Sequence, residues 1–315
     1  MNKVGNGALE VREGNLSNTP EGLAIQWLDW LISVKGRQKR TGEAYSLVLR
    51  QWLQWCEQRG IDPLAPEVTD LEEFTLRTRT RQAKGRVGSA ATRRTEVVAL
   101  RQWFEWLVRR GYVTHDPTVD LEAPSVKAGL PKPISNDEHW RRLITADMPD
   151  RMRLALYLGY YVGLRREEIT SLTGSQITDT HIERFVRKGG GDDTLPWRSM
   201  IEVVEEKIPE VVPEPGRFQE LLLRQAREVR SERLTYKDGH QIYKGLRALC
   251  QKLGLPHYTP HQLRHSCASN LVNRAHVPLH IVSSLLNHSS IDMTRRYVRA
   301  GGDELDRWRR SLMAR

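Results

Sequence analysis

The sequence predicts a mainly α protein: an N-terminal four-helix domain, then a mostly helical second domain with one small antiparallel β-hairpin. Three observations lead there. Apolar residues recur at a helical period over most of the chain, and a glycine closes many of these runs. A proline-rich stretch at 112–134 divides the chain in two. Within the second domain, residues 173–197 change character, with short β-like runs around a glycine triplet, Gly189, Gly190 and Gly191. A chain of 315 residues can form two ordinary cores.

Residues 1–18 carry Gly and Asn without a period and read as a flexible arm. The first domain spans 19–111. Its first helix sets Leu23, Trp27, Trp30, Leu31 and Val34 on one face and ends at Gly36. Thr41 opens the second, whose face is Tyr45, Val48, Leu49, Trp52, Leu53 and Cys56, and Gly60 stops it. The third starts at Thr69, with Glu72 completing a capping box. A basic loop leads to the fourth, which buries Val97, Leu100, Phe104, Leu107 and Val108. The many tryptophans here read as core and rim packing rather than platforms for bases. Pro117, Pro124, Pro131 and Pro133 make 112–134 an extended linker.

The second domain spans 135–315. Ser135 and Glu138 form a capping box ahead of Trp140, Leu143 and Ile144. A helix from about Asp150 ends at Gly163, and LRREEITSL begins another. The hairpin follows, with Lys188 at its turn. Residues 198–235 are acidic and proline-broken, then helical, and His240–Leu253 is one more helix. Thr259 suits an N-cap and Pro260 the first helical position. Beyond Gly301 and Gly302, Leu305, Trp308 and Leu312 share the face of a tail helix.

The net charge is +10, and the bases cluster. Arg77, Arg79, Arg81, Lys84, Arg86, Arg93 and Arg94 lie in a stretch that also holds Arg101, Arg109 and Arg110 against only Glu96 and Glu105. Such a row can follow a phosphate backbone, so a polyanion is the expected partner. No apolar run is long enough to span a bilayer, and the first residues lack the apolar core of a signal peptide, so the expected location is the cytoplasm and no membrane partner is expected. Cys56, Cys250 and Cys267 are odd in number and widely spaced, without disulfide or metal-ligand spacing. No metal or other cofactor is expected.

His261 and Arg264 are three residues apart, on the first turn of a helix where backbone N–H groups are unpaired and the dipole is positive. That is a seat for a phosphate. His288 and Tyr297 follow in the same segment. Taken singly, an Arg after a helix-ending glycine, a Lys beside a glycine turn or a lone HxxR is commonplace. In order, GLRREEI, the hairpin Lys188, HQLRH, LLNHSS and Tyr297 resemble the catalytic pattern of the tyrosine recombinase, or phage-integrase, family over nearly all of 135–300. The first domain is similar in pattern to that family's N-terminal core-binding (SAM-like) domain.

The resemblance implies roles. Arg165 and Arg264 would grip the non-bridging oxygens of one phosphodiester, and Glu168 would orient Arg165. Tyr297 would be the nucleophile, His261 its base, Lys188 the acid for the 5′-oxygen and His288 a further phosphate contact. His265 reads as structural, off the face shared by His261 and Arg264. Asn287 departs from the glycine usual in the family, but Asn is the next best residue for a left-handed backbone. The implied activity is site-specific recombination: two domains embrace duplex DNA from opposite sides, and protomers form a tetramer on two sites. The strands pass through a Holliday junction in integration, excision or resolution by a mobile element. A type IB topoisomerase or a telomere resolvase would share the chemistry. A non-catalytic DNA-binding protein on the same fold would not require the Tyr and both His.

Overall fold

The structure, a computed structural model, describes residues 18–37, 39–80, 89–126, 132–186, 192–288 and 290–298. The expected arm up to residue 17, Arg81, Lys84, Arg86, Lys188 and the tail helix lie outside the described residues. The chain divides into two units, Met1–Ala128 and Gly129–Arg315. The described structure is mostly helical with one two-stranded antiparallel sheet, the predicted class.

In the first unit, α1 (Pro20–Ser33), α2 (Lys39–Arg59), α3 (Val68–Thr80) and α4 (Ala90–Arg109) pack around a tryptophan-rich core. Thr19 caps α1 by accepting from the Gly22 N–H at 3.2 Å, and Ser89 caps α4 by accepting from the Thr92 N–H at 3.2 Å. Trp27, Trp52, Trp103, Phe74 and Phe104 are fully buried, with Trp52 edge-on to Phe74 at 5.1 Å. These rings are core, so they are not available to stack on bases.

Arg77 corrects one expectation. Its guanidinium lies over the Phe74 ring at 3.3 Å, donates to Gln51 Oε1 at 3.0 Å and sits 3.4 Å from the buried Glu96 carboxylate. Because α3 runs on to Thr80, Arg77 is carried round to the core side. It is a packed cation, not part of a phosphate-facing row. Arg94 is exposed and Arg93 half-buried on α4, and Arg79 lies on the last turn of α3.

The chain also stays with this unit beyond Gly111. Leu121 is fully buried in its core, and the Leu121 carbonyl accepts from Arg101 Nη2 at 2.5 Å. At the other end, Ile134 is buried in the second core and donates to Ser266 Oγ at 2.9 Å.

The second unit begins with α5 (Asp137–Thr145). Its cap is Asn136 rather than Ser135: Asn136 Oδ1 accepts from the N–H groups of Glu138 and His139 at 2.9 and 3.3 Å. Next come α6 (Asp150–Tyr160) and the short α7 (Arg166–Ser171). Strands β1 (Ile182–Val186) and β2 (Asp192–Leu195) pair antiparallel, with Ile182 opposite Leu195. The acidic, proline-broken stretch contains α8 (Trp197–Lys207), a 3-10 turn at Pro209–Val211 and α9 (Arg217–Val229). Trp197, Met200, Ile201 and Val204 give α8 its buried face. The last helices are α10 (Gly239–Lys252), α11 (Pro260–Ser269), α12 (Leu279–Leu285) and α13 (Ile291–Arg295).

At the centre, α11 packs on α6. Gly159 allows this, since a Cβ there would lie 3.1 Å from Leu263. Trp140 stacks on Tyr160 with ring centroids 3.7 Å apart and donates to the Val211 carbonyl at 2.9 Å. After Ser269 the helix widens into a π turn, Asn270–Arg274, closed by the Ala275 N–H on the Asn270 carbonyl at 2.9 Å. All three cysteines are buried and unpaired with one another. Among the described residues, no helix is long and apolar enough to cross a membrane.

Candidate active site

Three chain reversals and the start of α11 bring the predicted residues together. The first reversal follows α6. Gly163 has φ +70°, a left-handed backbone, and a Cβ there would fall 2.4 Å from Leu286 and 3.0 Å from Cys267. Its carbonyl accepts from Arg264 Nη1 at 2.6 Å. Two residues on, Arg165 has extended backbone and starts α7. Glu168, on the first turn of α7, holds Arg165 twice: one carboxylate oxygen accepts from the Arg165 main-chain N–H at 2.7 Å, the other from its Nη1 at 2.8 Å. The first bond caps the helix and the second fixes the guanidinium.

The second reversal follows α12. Asn287 adopts φ +45°, the left-handed conformation its place in LLNHSS suggested. The turn presents two successive carbonyls, one to each arginine. Leu286 accepts from Arg264 Nη2, and Asn287 accepts from Arg165 Nη2 at 3.1 Å. Glu168 Oε2 is also 3.8 Å from Arg264 Nη1. Two guanidiniums are thus held on one carboxylate and three main-chain carbonyls. Each uses two of its five N–H donors in this way, which leaves donors for an anion.

Arg264 is only 2% exposed. Burial, then repulsion from Arg165, pulls its pKa down to about 10 against the pull of Glu168, so it remains charged at neutral pH. The Arg165 side chain is 21% exposed and forms the open side of the pair.

Histidines and a phenol surround the arginines. Thr259 caps α11 and Pro260 occupies its first turn, as the sequence suggests. His261 reaches solvent from that turn, and partial desolvation among its neighbours, then Arg264 and Arg165, lower its pKa. His288 Nδ1 pairs with the hydroxyl of buried Thr294 at 2.7 Å, and burial with the two arginines holds its pKa near 4. The third reversal, after α13, brings in Tyr297. Its ring is 7% exposed and lies parallel to His288 at 6.2 Å. Burial pushes its phenol up to about 12, opposed by Arg264.

The structure therefore brings together Arg165, Glu168, His261, Arg264, His288 and Tyr297, while Lys188 lies outside the described residues. It adds three residues that sequence reasoning missed. His265 Nδ1 is hydrogen-bonded to the Tyr297 phenol, which corrects its reading as a residue off the shared face. Positions 261 and 265 are four apart on a helix, so the spacing already placed them together. Asn273 donates to the Tyr297 carbonyl at 2.9 Å, and Thr294 orients His288. Neither of those two carried a signal in the sequence.

The sequence profile of the Phage integrase family matches residues 137–302, and that of the Phage integrase N-terminal SAM-like domain matches residues 24–111. The chain belongs to the phage integrase family of tyrosine recombinases. Among its relatives in this family, Tyrosine recombinase XerC of Rhodospirillum centenum is 30% identical over 294 residues, covering 89% of this chain and 83% of the relative. Tyrosine recombinase XerD of Listeria monocytogenes is 27% identical over 287 residues, covering 87% and 93%. Two solved structures share the integrase fold. One is a lambda integrase tetramer bound to a Holliday junction, with TM-score 0.62 and 15% identity over 89% of this chain and 77% of that one. The other is the XerH site-specific recombinase bound to a palindromic difH substrate, with TM-score 0.62 and 17% identity over 93% and 84%. As a tyrosine recombinase, the protein is an enzyme that cleaves and rejoins DNA.

Proposed function

We propose that this enzyme cuts and rejoins duplex DNA at specific sites through a covalent 3′-phosphotyrosine on Tyr297. The observation that carries the reading is the pair Arg165 and Arg264, fixed on Glu168 and the 286–287 turn beside a shielded phenol. Guanidiniums remain charged and match phosphate geometry, and held in place they stabilise the charge that gathers on a five-coordinate phosphorus. Tyr297 Oη forms the bond to phosphorus, the bond from phosphorus to the 5′-oxygen breaks, and the phenol proton goes to His261, the base that the family resemblance nominates. The 5′-oxygen takes a proton from an acid, for which the hairpin Lys188 is proposed. His288, with Nδ1 held by Thr294, offers its other nitrogen to the phosphate. The phosphodiester energy stays in the adduct, so rejoining needs no ATP. Cleavage is expected to survive EDTA.

The assembly proposed is a tetramer on two duplex sites, exchanging strands in pairs. It is supported by the shared fold of the lambda integrase tetramer on a Holliday junction. Within this class we propose integration, excision or resolution by a mobile element. Exposed bases such as Arg94 would meet phosphates, so affinity should fall steeply with salt.

The test uses a nicked suicide duplex carrying the DNA that flanks the gene. Wild type is expected to form a covalent adduct mapping to Tyr297, whereas Tyr297→Phe binds DNA and forms none. An adduct made by Tyr297→Phe would move the nucleophile elsewhere. Joining of two marked duplexes identifies a recombinase; relaxation or hairpin ends alone would indicate a topoisomerase or telomere resolvase. Exchange at the ends of a segment that carries the gene supports the mobile-element role.

A further inference from the structure

Tyr297 is held at both ends by one helix. On α11, His265 Nδ1 shares a hydrogen bond with the phenol oxygen, with ring centroids 5.5 Å apart. On the π turn that extends α11, Asn273 Nδ2 donates to the Tyr297 carbonyl at 2.9 Å. His261, the base that the family resemblance nominates, touches the His265 ring instead, edge-on with centroids 4.3 Å apart. His288 lies parallel to the phenol, but its Nδ1 is taken by Thr294.

We propose that His265 is a positioning residue for the nucleophile: its Nδ1 accepts the phenol O–H and sets Tyr297 Oη toward the phosphate seated on Arg264, the preceding residue. This rests on the reading of Tyr297 as the nucleophile. Protonation fits the contact. Burial, then His261, Arg264, Arg296 and His288, lowers His265 to about 4, and burial raises the phenol to about 12. The imidazole is therefore neutral and the phenol keeps its proton; in the tautomer proposed, which carries its proton on Nε2, Nδ1 is left to accept the phenol O–H. Arg264 and His265 are adjacent on α11, so the phosphate grip and the aim of the nucleophile are built into one rigid element. Asn273 fixes the other end of the residue and leaves only the side-chain torsions to be set.

The experiment compares His265→Ala, His265→Asn and His265→Gln with wild type. An Asn amide reaches the position of Nδ1, whereas a Gln amide reaches that of Nε2. Two readouts are taken on the full chain. One is the rate of covalent adduct formation on the nicked suicide duplex, with DNA affinity measured alongside. The other is the ¹⁹F resonance of 3-fluorotyrosine placed at 297, which reads the phenol's hydrogen bond without DNA. Ala and Gln are expected to slow adduct formation by about tenfold or more, the scale of a misplaced reactant, with DNA affinity unchanged and the resonance moved. Asn should recover most of the rate and the wild-type resonance. An Ala variant at the wild-type rate overturns the proposal, whether or not the resonance moves, and so does an Asn variant no better than Gln. Asn also keeps the site filled should Ala fail to fold. If wild type itself forms no adduct on Tyr297, the functional reading fails, and the fluorine resonance still reports separately on the contact.

Discussion

Glu168 caps the helix that begins at Arg165 and also holds that arginine's guanidinium, with one carboxylate oxygen for each task. Only 4% exposed, it also faces Arg264. Removing it leaves two close cations without their shared counter-charge. Breaking a buried ion pair costs about 3–5 kcal/mol; Arg165 is partly open to solvent, so Glu168→Ala should cost about 3 kcal/mol in denaturant unfolding. Glu168→Gln keeps an acceptor and should lose less. Both should slow adduct formation by more than they weaken DNA binding. Wild-type cleavage in Glu168→Ala would show that the carboxylate does not organise the site.

Gly163→Ala combines a left-handed backbone with contacts at 2.4 Å to Leu286 and 3.0 Å to Cys267. The strain and the overpacking should together cost about 2–4 kcal/mol. Shifting residue 163 also moves the carbonyl that Arg264 uses, so cleavage should fall with stability. Adding Leu286→Ala should recover part of the stability, because it removes the closer contact. A Gly163→Ala protein as stable as wild type would contradict this packing.

At Asn287 the left-handed backbone is real, but its carbonyl, not its side chain, serves Arg165. Asn287→Gly should therefore keep cleavage and be as stable as wild type or more so, by up to about 1 kcal/mol. Asn287→Val should be destabilised and slow. Thermal melts and single-turnover cleavage measure both. Loss of activity in Asn287→Gly would assign the amide a role of its own.

His265 and His288 are both held near 4, below the unfolded value of about 6.5. Between those values the unfolded chain binds protons that the folded one does not. Stability is therefore full above about pH 6.5 and declines as pH falls toward 4. Allowing for solvent screening of these half-buried rings, the loss should be roughly 2–4 kcal/mol for the pair. Urea unfolding at pH 7 and pH 4.5 measures it. A bound phosphate offsets Arg264 and Arg165, so DNA binding should take up protons and tighten from pH 7 to pH 5. Calorimetry in buffers of different ionisation enthalpy detects the uptake, and a stability flat over this range would contradict the site's electrostatics.

Arg77 and Arg94 should behave oppositely despite their shared charge. Arg77→Ala loses the contacts to Phe74, Gln51 and Glu96 and should destabilise the first unit by about 2–3 kcal/mol with little change in salt dependence. Arg94→Ala, at an exposed position, should leave stability unchanged and reduce the salt slope of DNA binding by about 1. The reverse result would mean that the inward packing of Arg77 does not hold in solution.

The helices of both units were legible because each carries a long apolar face. Gly163 and Asn287 could be read because few residues other than Gly and Asn tolerate that backbone. The motif residues were legible through order and family resemblance. What escaped were partnerships set by tertiary packing. Nothing local says that Asn273 will meet the Tyr297 carbonyl 24 residues on, or that Thr294 will meet His288. Arg77 departs from the basic row because charge density carries no helical phase, and that phase turns it toward Glu96. In the stretch 198–235 the prolines end elements rather than forbid them, so composition alone does not mark where α8 begins and ends.

The buried cysteines bear on how strand exchange can be followed. Cys56 and Cys267 are held as thiols up to about 12, and Cys250 is also raised, by burial in each case. Maleimide dyes react with the thiolate, so the native protein should stay dark under mild labelling. A single cysteine introduced on an exposed face would then carry the only fluorophore, with the natural background left in place. Distances within the protein–DNA complex could be tracked in real time on the otherwise unaltered enzyme.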